Sequence, residues 1–244
     1  MTIYYRTQGF VFKKEDRSES NRIFSVFTKD FGRVEVVGRA IRKINSKLRS
    51  GMGIFSFSEI EFIQGRNKKT LTDAILINKF RSFAEQPEKL LLAQRISETV
   101  DSLIKGQEKD EKIFNLLDDA LEKINGLQFS VPGFELLYSY FFWNLLSVLG
   151  YGPQLFNCAA CHQKLQPYNL YFSNKEGGVI CENCHKTKKD ALEISSDVVK
   201  ILRLMLKKDW QMLLKLKLGK NNQKLLQEVT ERYCAYLKSN FQHE

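Results

Sequence analysis

Two Cys-x-x-Cys pairs, Cys158/Cys161 and Cys181/Cys184, are the residues whose type and spacing most directly specify a chemistry in this sequence. Nineteen residues separate the pairs, within the range of about 15 to 20 that lets two tight turns fold back around one tetrahedral ion. Each turn supplies two thiolates, and the aromatic- and glycine-containing segment between them can form the hairpin that brings them together. Four thiolates fill the shell of Zn2+, whereas a catalytic zinc keeps one position open for water or substrate. The expectation is one structural zinc per chain, with reduced buried thiols or disulfides as the competing reading. His162 and His185 each follow the second cysteine of a pair and either could replace a thiolate, although surface histidines beside a cysteine-only site are the simpler assignment. The third histidine is His243, and no His-x-Glu precedes a pair as a zinc deaminase requires.

A second constellation is electrostatic. Residues 38–53, GRAIRKINSKLRSGMG, hold Arg39, Arg42, Lys43, Lys47 and Arg49 without an acid. Such a loop can follow a phosphate backbone by releasing counterions, with little sequence preference, and Arg22 and Arg33 are candidates to extend the track. The net charge of +10 is uneven: residues 1–80 carry 16 Lys/Arg against 8 Asp/Glu, residues 81–157 carry 7 against 11, and residues 191–244 carry 10 against 6. The basic first segment suits a polyanion, but a solvated face or an anionic-lipid surface would have the same composition. Most of the ten aromatics from Tyr4 to Phe62 must fill the core of a domain this small, leaving few to stack bases.

These candidates need elements to hold them. Alternating Val, Ile, Phe and Thr predict five strands over 8–13, 21–28, 33–37, 55–64 and 70–77, separated by charged or glycine-containing turns. Five short strands suggest a closed barrel, for which the OB-fold is the leading candidate. The period then becomes helical. A first helix over 87–105 carries the stripe Leu91, Ile96, Val100, Leu103 and Ile104; a second covers 110–124; a third, 131–149, is apolar nearly all round and is broken by Gly150-Tyr151-Gly152-Pro153. After the cysteines, Ser195 or Ser196 can cap a helix with Val198, Val199, Ile201, Leu202, Met205 and Leu206 inside, followed by helices over 210–218 and 221–239. These tail helices lack a core of their own and are expected to pack on the three earlier ones. The expected fold class is multi-domain α+β: an N-terminal five-stranded OB-fold barrel (1–80), then an all-α domain (81–157 and 191–244) with an inserted four-cysteine zinc element (158–190).

Other classes fit poorly. The longest apolar run, about 136–149, is interrupted by Ser139, Asn144 and Ser147 and is too short to span a bilayer. The opening MTIYYRTQGF lacks the basic-then-apolar pattern of a secretory signal, and unpaired metal-binding thiolates suit a reducing compartment, so a cytoplasmic location is expected. Cys234 is left as a small buried residue of the last helix. There is no P-loop, dinucleotide fingerprint or nucleophile elbow, and Asp118-Asp119 and Glu108, Asp110 and Glu111 read as solvated charges.

The segments TQGFVFKKEDRSESNRIFSVFTKDFGRVEVV, GRAIRKINSKLR and NLLSVLGYGPQLFNCAACH together resemble the bacterial RecO family of recombination mediators. The resemblance is most specific at Leu145, Leu146, Leu149, Gly150, Tyr151, Pro153, Leu155, Cys158 and Cys161, where a leucine-rich helix, a Gly-Tyr turn and the first cysteine pair follow in the family's order. Thr28, Gly32, Ser46, Leu48 and Leu237-Lys238-Ser239 add to it, so that it spans essentially the whole chain. The resemblance implies an OB-fold, a helical domain and a zinc element in a protein without a catalytic site. It also implies binding of single- and double-stranded DNA, annealing of complementary strands, association with RecR, capture of the acidic tail of single-stranded DNA-binding protein, help in loading RecA, and a nucleoid-associated place in the cell. For the acidic tail, Lys200, Arg203, Lys207 and Lys208 of the basic tail segment are the candidate partner-binding residues. The sequence departs from the family where His162 follows Cys161 in place of the usual glycine, and where the basic cluster near the end is thinned to AYLKSNFQ. An RNA-binding or transcription-associated OB plus zinc-ribbon protein shares these electrostatics and is the alternative. A zinc hydrolase or nuclease would need an open zinc or clustered carboxylates.

Overall fold

The computed structural model describes residues 3–241 except 81, 105, 108, 127–130 and 189, and the chain divides into two compact units, residues 1–127 and 128–244. In the first unit, strands β1 (Tyr4–Asp16), β2 (Arg22–Thr28), β3 (Gly32–Gly38), β4 (Ser56–Gln64) and β5 (Lys69–Lys79) pair in the order β1-β2-β3-β5-β4. β4 returns to β1, which closes the barrel; all pairings are antiparallel except the short β3–β5 ladder at Val36↔Lys69 and Val37↔Thr70.

Phe24 and Val26 turn inward and meet Val11, Val34, Val36, Ile60, Phe62 and Leu71. The alternate residues are also buried. Phe10, Phe12, Phe27 and Phe55 form an outer apolar layer with Ile96, Val100, Leu117 and Leu121 of helices α2 (Pro87–Leu103) and α3 (Glu111–Gly126), which follow the short helix α1 (Ser82–Glu85). The Phe10 ring centroid lies 4.7 Å from Phe57 and 5.3 Å from Phe114 of α3. Strands covered on both faces read as nearly continuous apolar runs, which accounts for the sequences GFVF and IFSVF. The sequence expectation joined α2 and α3 to the tail helices; the structure sides them with the barrel, because the phenylalanines on its outer face need cover. Within α2 the buried stripe runs through Leu92, Ala93, Ile96, Val100 and Leu103, and Leu91, expected inside, is 63% exposed.

The second unit is built on α4 (Val131–Val148), whose Leu137, Phe141, Phe142, Trp143, Leu145 and Leu146 are completely buried. The helix stops as its sequence predicts. Gly150 takes φ +84°, its N–H reaches Ser147 O, and the Tyr151 N–H reaches back to Leu146 O at 2.8 Å, the two closures of a Schellman motif. Around α4 lie α6 (Ser196–Leu206), α7 (Trp210–Lys215) and α8 (Lys220–Phe241). Two buried polar contacts set their register: Trp143 Nε1 donates to Thr230 Oγ1 of α8 at 3.0 Å, and Asn144 Nδ2 donates to Met205 O of α6 at 3.0 Å. Ser195 caps α6 by accepting the Val198 N–H. Between α4 and α6, β6 (Leu170–Ser173) and β7 (Gly178–Cys181) make the expected hairpin, the short helix α5 (Glu182–His185) follows, and β8 (Leu192–Ile194) adds a third strand beside β6. Among the described residues no helix is long and apolar enough to cross a membrane.

Candidate metal centre and nucleic-acid interface

Cys158 and Cys161 lie in a turn whose base is closed by the Cys158 N–H to Gln163 O bond and by the His162 N–H to Cys158 O bond, with His162 at φ +62°. Cys181 ends β7 and Cys184 lies in α5. The hairpin comes close to the first turn because Gly178 has no side chain: a Cβ there would stand 2.4 Å from Gln154 O. The four Sγ atoms all fall within 4.8 Å of one another, with Cys161 and Cys181 3.9 Å apart. Thiolates on a tetrahedral ion with metal–sulfur bonds of about 2.3 Å sit about 3.8 Å apart, so the donor set and spacing fit a four-sulfur metal site. His185 stays outside the cluster, its ring stacked 3.7 Å from Tyr171, and His162 is exposed; His243 lies outside the described residues.

The thiols are electrostatically unequal. Burial opposes ionisation of Cys158, but the N–H groups of Cys161, Cys181 and Ala160 outweigh it and bring the thiol down to about 6. At Cys161 the Gln163 amide favours the thiolate, yet the Cys158 sulfur and burial together raise the thiol above its ordinary value. Cys184 is pushed up to about 12, by burial first and then by the neighbouring sulfurs. A cluster that ionises one sulfur readily and resists further negative charge is one that a cation completes.

The cationic loop between β3 and β4 is anchored at both ends. Ile41 and Met52 enter the barrel core, Leu48 packs against it, and Gly51 lies so close to β5 that a Cβ would stand 2.5 Å from Ala74 O. Ser56 and Ser58 both donate to Gly51 O, and Asn21 Oδ1 accepts the Ala40 N–H. The seven basic candidates separate into two groups. Arg39, Lys43, Lys47 and Arg49 are exposed and make no ion pair among the described residues. Arg22 and Arg42 share Asp16, at 2.5 and 3.5 Å, and the Arg22 guanidinium holds that carboxyl below its usual value. Arg33 is drawn away altogether: its guanidinium meets Asp101 of α2 at 2.5 Å and donates to Ile104 O, with 17% of the side chain exposed. It bolts the end of α2 to the barrel.

The partner-binding candidates lie on α6 and just after it, and Lys200 and Arg203 both line a small cleft with Leu165, Pro167 and Leu170. Lys200 pairs with Asp197, and Arg203 donates twice to Leu155 O while its guanidinium lies over Phe156, 4.6 Å from the ring centroid. Lys207 and Lys208 are exposed just after α6. The sequence reading missed a larger cleft of about 440 Å³ in the same unit, lined by Leu136, Leu213, Leu216, Leu218 and Leu226, with Glu135, Lys220 and Lys224 beside it. Its leucines come from α4, α7, α8 and the turn between the last two, so no single periodicity announces it; Leu213 and Leu218 lie in segments whose sequence reads simply as amphipathic helix.

Comparison with known proteins divides the chain at the end of the barrel strands, ahead of the division between the two compact units. Residues 1–80 match the family description "Recombination protein O N terminal", and residues 84–239 match "Recombination protein O C terminal". Similar curated proteins include the DNA repair protein RecO of Dehalococcoides mccartyi strain 195, 30% identical over 92% of this chain and 86% of the relative. That of Caldanaerobacter subterraneus subsp. tengcongensis is 30% identical over 86% of this chain and 83% of the relative, and that of Thermoanaerobacter sp. X514 is 28% identical over 98% and 93%.

Proposed function

This chain belongs to the RecO family of DNA repair proteins, and from that premise we propose that it acts in DNA repair and recombination as a non-enzymatic mediator. The barrel is read as an OB-fold, and its loop between β3 and β4 as the DNA-binding surface. The observation that carries this reading is the group Arg39, Lys43, Lys47 and Arg49, exposed and unpaired among the described residues on a loop pinned to the barrel core. Arg42 joins them by exchanging Asp16 for a phosphate; Arg33 does not. Such a surface holds single and double strands through their backbones, and by neutralising both of two complementary strands it favours their annealing. The four cysteines hold one structural Zn2+, which orders the segment between α4 and α6.

The partners in this scheme are RecR, RecA indirectly through its loading, and the acidic tail of single-stranded DNA-binding protein, all in the cytoplasm. The leucine-lined cleft flanked by Lys220 and Lys224 suits an acidic peptide with apolar anchors, and it is roomier than the cleft of about 100 Å³ beside Lys200 and Arg203. The test of the DNA surface is the salt dependence of binding. Five phosphate contacts on a single strand give a slope of log affinity against log salt of about −3.5, and Arg39→Ala with Lys43→Ala should bring it to about −2.1 and slow annealing of strands coated with single-stranded DNA-binding protein. An unchanged slope and annealing rate would refute the assignment.

A further inference from the structure

Ile44 is the most exposed large apolar side chain among the described residues, at 88%, and it stands within the cationic loop between Lys43 and Lys47. It contributes nothing to the barrel core, which the same loop enters through Ile41 and Met52. Nor is it carried on slack chain. The Lys43 N–H bonds Ala40 O, the Ser46 N–H bonds Lys43 O and the Arg49 N–H bonds Ser46 O, so successive tight turns hold Ile44 at an outward corner. An apolar group presented on an ordered turn, on the same loop as the exposed Arg39, Lys43, Lys47 and Arg49, fits a ligand that offers apolar faces beside anionic groups. Unpaired nucleobases on a phosphate backbone have that chemistry.

We infer that Ile44 is a wedge that inserts between neighbouring bases of a single strand while the cations of the same loop hold the flanking phosphates. The inference rests on the reading that this loop binds DNA, and it adds a basis for discrimination. Phosphate contacts alone do not separate single strands from duplex, whereas opening a paired and stacked step costs more than one isoleucine returns on burial. The wedge therefore selects strands whose bases are already unpaired.

The experiment uses the full chain with Ile44→Ala, Ile44→Leu and the Arg39→Ala/Lys43→Ala pair. Each is bound to a single strand carrying 2-aminopurine, whose fluorescence rises on unstacking, and to the matching duplex, across a salt titration. Ile44→Ala should bind the single strand about tenfold more weakly, a change of about 1.4 kcal/mol, with duplex affinity, salt slope and melting temperature unchanged. The fluorescence rise should be lost, and Ile44→Leu should restore both affinity and fluorescence. Wild-type affinity and fluorescence in Ile44→Ala, with a slope still flattened by the cation pair, overturns the wedge and leaves the DNA-binding loop standing. A cation pair without effect overturns both. Equal weakening on single strand and duplex also overturns the wedge. So does an Ile44→Ala protein that keeps its DNA affinities but no longer sediments with vesicles of equimolar phosphatidylglycerol and phosphatidylcholine, an outcome that would assign the side chain to a membrane surface.

Discussion

Replacing Arg33 with alanine should weaken the fold of the first unit and leave the salt dependence of DNA binding untouched, although Arg33 and Arg39 look alike in sequence. Arg33 pairs with Asp101 at 2.5 Å, donates to Ile104 O at 3.2 Å, and shows 17% of its side chain to solvent, against 26% for Asp101. An exposed pair of this kind contributes about 0–1 kcal/mol, and stripping one partner from a fully buried pair costs about 3–5 kcal/mol. With both side chains mostly covered, and with Asp101 still held by Lys13 at 3.1 Å, the loss for Arg33→Ala should lie between these, about 2 kcal/mol. At a urea dependence of about 2 kcal/mol per molar, the unfolding midpoint moves down by about 1 M. Both tryptophans, Trp143 and Trp210, are in the second unit, so their fluorescence does not report this change. Hydrogen exchange of strand amides in residues 4–79, followed against urea, does. Asp101→Ala should cost at least as much, since it strips the carboxylate from both the mostly covered Arg33 guanidinium, whose buried Nε already has no partner, and Lys13. An Arg33→Ala protein of wild-type stability whose salt slope falls by about 0.7 would show that the guanidinium leaves Asp101 for phosphate, and would refute the reasoning.

Four further outcomes follow from the second unit. Adding zinc to metal-free protein at pH 7 should release at least two protons per ion, because Cys161 is raised and Cys184 is pushed up to about 12, so both enter as thiols, while Cys158 at about 6 is already mostly ionised; a pH indicator in weak buffer counts them. As pH falls through about 6, Cys158 too takes up a proton and metal release should steepen, which a chelator titration followed by elemental analysis would show. Gly178→Ala should lower metal affinity more than it lowers helicity, because its Cβ would meet Gln154 O at 2.4 Å and push the hairpin away from the first cysteine turn; competition with a zinc indicator measures the affinity and circular dichroism the helicity. Thr230→Val should cost about 1–3 kcal/mol by leaving the buried Trp143 Nε1 without its acceptor, read from the urea midpoint of tryptophan fluorescence.

Local chemistry was legible without the fold. Strand positions followed from β-branched and aromatic runs, the stop of α4 from a glycine able to take φ +84°, the cap of α6 from Ser195, and the metal cluster from two cysteine pairs at the right separation. Each depends on residues that are near in sequence or on a donor set with one common geometry. Long-range pairing was hidden. Arg33 and Arg39 sit six positions apart in the same basic segment, and only the packing of α2 against the barrel brings Asp101 to one and leaves the other in water. The same packing decided that Phe10 and Phe27 need a helical cover, and that Leu92, in place of Leu91, turns inward. The leucine cleft in the second unit likewise exists only where α4, α7 and α8 meet, and the exposure of Ile44 only because Ile41 and Met52 occupy the core on its behalf. Sequence therefore determined which groups can ligate, cap, turn or carry charge. Tertiary structure decided which charges are spent inside the molecule and which remain for a ligand, because that depends on partners brought together across tens of residues of chain.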